Sequence, residues 1–384
     1  LAKSLINSVL LLVFGVVGLF GTTVVMADEK SAHGSQQQAT VVALSELMNV
    51  ERLMEQIEDR QAVFVGETHD RYEHHLNQLA IIQGMYKKHP DMVIGLEFFQ
   101  QPFQPVLDRY ISGEIDENAL LRESEYFDRW RYDYRLYRPI FRYAKEKGIP
   151  LIALNLEKEI TGQASAGGID SIEKTLKLRI PEEIDRSDTA YRQRLEAVFQ
   201  MHPHPEKRNF DHFMDVQLLW DEGMAERAAV WFRENPQGHM VILAGGGHIA
   251  YGSGIPNRLK RRVPVTTAIV INASTASELE PAMGDFVMMT KPNRLHPTGK
   301  LGVFLDVEES PVKVSGFSPH SGAEKVGVRK GDRILQVGEH EITSYADVRI
   351  ALMDSLPGEK VDVVVRRTWP VLGSANHTIE VELR

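Results

Sequence analysis

Ala62-Val63-Phe64-Val65-Gly66-Glu67-Thr68-His69-Asp70 is the stretch on which the fold reading turns. Four apolar residues, two of them β-branched, end on a glycine and then on residues that carry chemistry. A continuous apolar run this short, closed by a polar turn, fits a strand buried on both faces. Three more segments read the same way. Met92–Leu96 runs into Glu97, Leu151–Leu154 into Asn155, and Met240–Ala244 into Gly245-Gly246-Gly247-His248. Val265–Ile271 and Asp285–Met289 are candidates for two further strands at an edge. Helices are expected between them over Glu73–His89, Pro105–Ser112, Pro139–Lys147 and about Phe210–Glu234. The alternation predicts an α/β domain with a mostly parallel sheet flanked by helices.

In an open parallel sheet the ligand crevice lies outside the carboxyl ends of the strands. Glu67, His69, Glu97, Asn155 and His248 are therefore expected along one edge. Any one of them alone reads as a solvated loop residue. A carboxylate, imidazole or amide at each of four strand exits reads as a site. Two His and two Glu (Glu67, His69, Glu97 and His248) suit a divalent metal ion held by oxygen and nitrogen, with positions left for water. A His or Tyr at the same place suits the axial position of a haem iron. Tyr251, three residues past His248, is the best-placed phenol, and a packing tyrosine is its plainer reading. His74 and His75 open the next helix, where spacing lets one face the crevice and turns the other to solvent.

The whole sequence bounds these readings. Its 384 residues, 43% hydrophobic and 25% charged, are ordinary globular composition with room for two domains. A formal charge of −9 and the lack of a basic stripe argue against nucleic acid as a partner. The absence of cysteine excludes disulfides, thiolate metal sites and a lipid anchor on cysteine. Lys3, the apolar run Leu5–Phe20 and Val25-Met26-Ala27 describe a secretory signal peptide over residues 1–27, cleaved after Ala27. Leu5–Met26 is also long enough to stay as an N-terminal membrane anchor. Either reading sends the bulk of the chain across a membrane, to the periplasm or the outer face of the cell membrane. Residues 28–40, with three consecutive glutamines, read as a linker. The α/β domain is expected over 41–292, and its boundary falls at Asn293–Thr298, next to Pro292 and broken by Pro297.

Two clusters invite functional readings. Tyr126–Tyr143 is dense in aromatic and arginine residues that would suit a macrocycle and its propionates. Phe127, Trp130, Tyr134, Tyr137 and Phe141 recur at three and four, however, as a core-facing stripe does, which leaves one or two arginines for an anionic ligand. Met201-His202-Pro203-His204-Pro205 reads as a loop whose histidines are solvated. The Gln217, Asp221, Met224 and Ala228 face of the long helix reads as packing, with Gln217 or Asp221 able to brace a ligand from behind.

Taken together, Gly66-Glu67-Thr68-His69-Asp70 with His75 and Gln78, Gly95-Leu96-Glu97-Phe98-Phe99, Ala153-Leu154-Asn155, Gln217–Ala225 and Gly245-Gly246-Gly247-His248 resemble the ChaN-type haem-binding uptake family. That family is a branch of the Tiki, TraB and erythromycin-esterase superfamily. The resemblance covers about residues 40–270. It implies haem binding in bacterial iron acquisition, with a homodimer sharing the haem and Tyr or His as ligand. Members are often lipoproteins, and this chain departs from them in having no cysteine to acylate. The superfamily also holds metal-dependent hydrolases. In that alternative Glu67 or Glu97 is the general base, and His69 and His248 are ligands or proton carriers. No Gly-x-Ser-x-Gly elbow is present, which argues against a serine nucleophile.

After residue 298 the texture changes to short strands and glycine-rich turns. Strands are expected at Lys300–Leu305, Val312–Phe317 and Lys360–Arg366, and helices at Ser321–Val328 and Tyr345–Asp354. The string Ala323-x-x-x-Gly327-Val328-x-x-Gly331-Asp332-x-Ile334-Leu335 closely resembles a bacterial PDZ domain over 299–384. It implies a peptide or protein C-terminus as partner, laid as an added strand beside the Leu301-Gly302-Val303-Phe304 loop. Val348 or Ile350 and Leu352 are the candidates for its side-chain pocket. The expected function is that of an exported haem-binding protein with a recruiting module. A metal-dependent hydrolase and a non-catalytic envelope adaptor are the alternatives.

Overall fold

The computed structural model describes residues 43–369 and 373–384, so the expected leader over 1–27 and linker over 28–40 lie outside the described residues. Among the described residues no helix is long and apolar enough to cross a membrane.

Six strands form one parallel sheet. They are β1 Ala62–Glu67, β2 Val93–Gln100, β3 Leu151–Asn155, β4 Met240–Gly245, β5 Thr267–Ala273 and β6 Phe286–Met289, in the order β3-β2-β4-β1-β5-β6. All six residues of β1 and of β4 are buried, which is why their sequences are continuous apolar runs. β6 alternates between half-buried and exposed residues and lies at the edge. β1 and β4 lie side by side with Glu67 opposite Gly245. From β1 the chain goes on to β2 and β3 on one side, and from β4 to β5 and β6 on the other. That is a topological switch point, where such sheets hold ligands.

The helices Tyr72–Lys88 and Phe210–Glu234 match expectation to within a residue or so. On the second, Gln217, Asp221, Met224 and Ala228 are all buried, as the face reading required. The first corrects it: His74 and His75 are both buried, and neither is in solvent. His74 accepts the Thr68 backbone N–H on Nδ1 at 3.1 Å, so this second ring serves to hold the turn after β1.

Two compact units emerge. One takes in the chain up to Glu97 and Leu154–Pro292, the other Phe98–Ala153 and Asn293–Arg384. The helical segment Phe98–Ala153, inside the span 41–292, thus packs in the same unit as the C-terminal module. Its aromatic residues form a core rather than a ligand bed. Phe127, Trp130, Tyr134, Tyr137 and Phe141 are all buried, and Phe98 packs against Tyr137 with ring centroids 4.3 Å apart and planes tilted by 40°. The stripe is not one helix, however. It is split over Tyr126–Arg129, a 3-10 turn at Tyr134–Leu136 and Arg138–Lys147, with Arg131 at φ 71° breaking the run. Arg129, Arg135, Arg138 and Arg142 are engaged by Glu125, Asp133 and Glu117 within the unit. Of the five arginines of this stretch, these four are committed to acids of the same unit.

The C-terminal module is an antiparallel sheet in the order β12-β11-β9-β8-β7, with β10 beside β9. Its strands are β7 Val303–Asp306, β8 Lys313–Phe317, β9 Arg333–Val337, β10 His340–Glu341, β11 Lys360–Trp369 and β12 Gly373–Glu382. Leu301, Val314, Ile334, Val348, Val365 and Val381 are among its core residues. The helix Tyr345–Ala351 starts in a capping box, in which Ser344 and Asp347 each bond the other's backbone.

Asp347 also takes the Arg122 Nε–H at 2.6 Å from the helical segment. Burial works to raise its pKa, but Arg122 and then the Thr343 and Ser344 hydroxyls bring it down to about 2. A folded pKa below the unfolded value gives stability that is present above the unfolded pKa and lost as pH falls through the folded one. The stability advantage of the natural chain over Asp347→Asn is therefore expected to be full at about pH 5 and to vanish toward about pH 2. Urea unfolding at both ends of that range checks it, and an unchanged difference contradicts it.

Candidate functional site

The four strand exits meet because β3, β2, β4 and β1 are neighbours in that order. Asn155 ends β3, Glu97 lies in β2, Gly245 ends β4 just before His248, and Glu67 ends β1. Glu67, His69, Glu97, Asn155 and His248 are all buried. Ligand atoms of Glu67, His69 and Glu97 all lie within 4.8 Å of one another. His69 Nδ1 is 2.5 Å from Glu67 Oε1. Glu97 Oε2 accepts the Gly245 N–H at 2.5 Å, and Glu97 Oε1 is 3.4 Å from His248 Nε2. Asn155 donates to the Glu97 carbonyl at 2.9 Å and so fixes the end of β2. Gly245 is required here, because a Cβ on it would stand 2.8 Å from His69 Cε1.

Charge in this cluster is balanced by pairing. Burial works to raise the Glu67 pKa, and the adjoining His69 outweighs it and holds the carboxyl below its ordinary value. His69 is pushed up to about 9, with burial opposing and Glu67 prevailing. His248 is likewise raised against burial, by Asp221 first and Glu97 next. Its Nδ1 lies 2.6 Å from Asp221 Oδ1, and Asp221 Oδ2 accepts the Tyr191 O–H at 2.6 Å. The line Glu97–His248–Asp221–Tyr191 sets the tautomer of His248 and points Nε2 at the cluster.

His75 and Tyr251 are not among the three residues whose ligand atoms meet in this group. The His75 ring is turned to the His69 carbonyl oxygen at 3.1 Å and to Gln78 Oε1 at 3.0 Å, so it braces the β1 turn from behind. Tyr251 donates its O–H to Glu280, and the Arg194 guanidinium lies 4.5 Å over its ring. Partial burial and then Glu280 push the phenol up to about 12. Its backbone is left-handed at φ 61°, an unusual setting for a bulky residue and one concentrated at functional sites. The expected site residues thus include a buried polar cluster and a half-buried phenol.

The two places differ in what they fit. Glu67 Oε2 and Asn155 Oδ1 are buried without hydrogen-bond partners, and the oxygen and nitrogen donors around them suit a divalent cation. Tyr251 is half-buried and so the more accessible of the two.

Sequence reasoning gave no role to Tyr191, Arg194 or Glu280. The first two lie on the helix Thr189–Gln200, whose start was readable: Asp188 is a strong N-cap residue and accepts the Tyr191 N–H at 2.8 Å. His202, on the histidine loop, bonds the Val198 carbonyl oxygen through Nδ1 at 2.9 Å, while His204 is exposed.

In the C-terminal module a groove of about 450 Å³ is lined by Leu301, Gly302, Val303 and Phe304 on one side and by Val348 and Leu352 on the other. Ile350 is buried elsewhere and does not line it. Val348 and Leu352 are four residues apart and share a helix face, whereas Ile350 lies about 200° from Val348 around the helix. Tyr345 and Arg349 complete the lining face at i, i+3, i+4 and i+7.

Comparison with known proteins agrees with this architecture. The family model described as haem-binding uptake, Tiki superfamily, ChaN matches residues 53–259, and a PDZ domain model matches 299–383. Among solved structures, ChaN of Campylobacter jejuni with cofacially bound haem is 17% identical. It covers 62% of this chain and 91% of its own, with a TM-score of 0.51, a likeness of fold. An erythromycin esterase mutant is 16% identical over 58% of this chain and 72% of its own, with a TM-score of 0.37. The chloroplastic protein RETICULATA-RELATED 5 of Arabidopsis thaliana is 22% identical over 249 residues, 57% of this chain. The match takes in 32% of that relative, so this chain spans about a third of its length. The chain belongs to the ChaN haem-binding uptake family of the Tiki superfamily and carries a PDZ domain at its C-terminal side.

Proposed function

We propose that this protein is an exported haem-binding protein of the cell envelope that serves haem or iron uptake, with its PDZ groove recruiting a peptide or protein C-terminus. Membership of a haem-binding family supports the ligand, and the signal-like pattern of residues 1–27 supports export. The observation that carries the reading is Tyr251: a half-buried phenol, held in a left-handed turn, with a cation over its ring. Haem, if bound, would supply a ferric iron that the Tyr251 oxygen could hold. Arg194, anchored on Ser253 Oγ at 2.7 Å, offers a guanidinium suited to a propionate, while Glu280, which accepts the Tyr251 O–H hydrogen bond, favours the protonated phenol in the haem-free chain. A homodimer meeting over Tyr251 would cover the open face of the ligand. The test is growth of a deletion strain with haem as sole iron source, with the tagged chain located by fractionation. Normal growth, or a chain found in the cytoplasm, contradicts the proposal.

A second reading has its own observation, the partnerless Glu67 Oε2 beside His69 and Glu97. A divalent cation there supplies Lewis acidity toward water, and Glu67 or Glu97 is placed to take a proton, as in a metal-dependent hydrolase. Calorimetric titration with Zn²⁺ or Mn²⁺ is expected to show one saturable site, weakened by about a hundredfold in Glu67→Ala. Equal binding by both proteins contradicts a cation at this cluster.

A further inference from the structure

The peptide groove has a wall that does not come from the PDZ domain. Phe127, from the helical segment Phe98–Ala153, lines it together with the β7 side and the Tyr345–Ala351 helix. This segment is bound to that helix and the turn after it at three points. Arg122 pairs with Asp347 at 2.6 Å, Arg138 pairs with Asp354 at 2.6 Å, and the Arg349 guanidinium lies 4.8 Å over the Phe127 ring. Arg349 also faces the Tyr345 ring at 5.8 Å and donates to its hydroxyl at 3.1 Å. A long flexible side chain is thereby held in one place at the rim of the groove.

The charges around the groove are one-sided. Lys300, Arg349 and Arg384 line it against one acid, Asp133, which is held by Arg135 through contacts of 2.6–3.1 Å and also feels the Arg349 charge. Arg384 is fixed by Ser318 and Pro319. β7 is the edge strand of its sheet, so its outer backbone groups are open to an added strand. Gly302, at φ 78°, turns the loop at the head of this edge, and a Cβ there would stand 2.8 Å from Ser321 Cα. An occupant therefore lies extended along β7, sets an apolar side chain over Val348 and Leu352, and meets an excess of positive charge.

We infer that the groove is a composite, in which Phe127 fixes Arg349 so that, with Lys300 and Arg384, it selects peptides with a free C-terminal carboxylate and acidic side chains just before it. This rests on the peptide-binding reading of the PDZ groove and adds to it a positioning residue, Phe127, from outside the PDZ domain. The segment Phe98–Ala153 begins immediately after Glu97 and ends just before Asn155, so the chain that shapes peptide choice is continuous with two residues of the buried cluster.

Three fluorescein-labelled decapeptides test this on the full chain by fluorescence polarisation. One carries acidic residues before an apolar C-terminal residue, one is its neutral counterpart, and one is the acidic peptide as its C-terminal amide. The acidic peptide is expected to bind about tenfold tighter than the neutral one, the scale of one hydrogen bond to a charged group. The amide should bind more weakly than the free acid. Arg349→Gln, and Phe127→Leu, which keeps an apolar side chain but removes the aromatic face, should each bring the ratio of acidic to neutral peptide affinity close to one. The melting temperature of each variant reports its folding. Equal binding of acidic and neutral peptides, or a preference that survives in Phe127→Leu, overturns the composite groove while leaving peptide binding intact. Failure of every peptide to bind overturns both.

Discussion

Tyr251→Phe is expected to weaken ferric haem binding by about a hundredfold or more, at least the upper end of what losing a residue behind a metal ligand costs. The substitution removes one oxygen and keeps the ring, so the left-handed backbone at φ 61° and the Arg194 contact at 4.5 Å are undisturbed. Glu280, which takes the Tyr251 O–H, is exposed and returns to water without penalty. Folding should therefore change little while the haem spectrum changes fully. In the haem-free chain the phenol, at about 12, keeps its proton at neutral pH. Spectrophotometric titration of both proteins with haem checks the expectation, with melting temperature as the folding control. An unchanged spectrum and affinity would assign the ligand to another residue.

Asp221→Ala should be the most damaging single change for the stability of the sheet domain, at about 3–5 kcal/mol, the range for removing one partner of a buried ion pair. Asp221 is fully buried and serves both the His248 ring and the Tyr191 hydroxyl. Its loss leaves His248 Nδ1 and the buried Tyr191 hydroxyl without the acceptor they share and removes the main charge that raises the His248 pKa, beside the buried guanidinium of Arg258. Asp221→Asn keeps the shape but loses the charge, so it should cost less and let the His248 pKa fall. Urea denaturation gives the first quantity, and proton NMR of the imidazole the second. A loss below about 1 kcal/mol for the alanine variant would mean that the line is an ordinary surface-strength contact.

Much of this was legible in the sequence, for reasons particular to each element. β1 and β4 are buried on both faces, and a strand so placed must be a continuous apolar run, which is how both were read. Glu67, Glu97, Asn155 and His248 were legible because each ends such a run. Strand order, which makes those exits neighbours, leaves no local mark and came from the structure. β12 was missed because of its ten residues only Val381 is buried, so its pattern carries little apolar signal. The Tyr126–Tyr143 stripe was read as core-facing and is buried, and its spacings of three and four persist across the break at Arg131. The partners of His75 and Tyr251, Gln78 with the His69 carbonyl for one and Glu280 for the other, left no mark in the sequence and came from the structure. Ile350 fell to helical geometry, two residues being the wrong spacing to share a face with Val348.

The most direct test of the account is a titration of the full chain with ferric haem, read at the Soret band with metal analysis on the same sample. The account predicts a saturable, shifted Soret band that is lost in Tyr251→Phe. A chain whose spectrum ignores haem while it carries stoichiometric zinc or manganese would contradict it and leave the buried Glu67, His69 and Glu97 cluster as the working site.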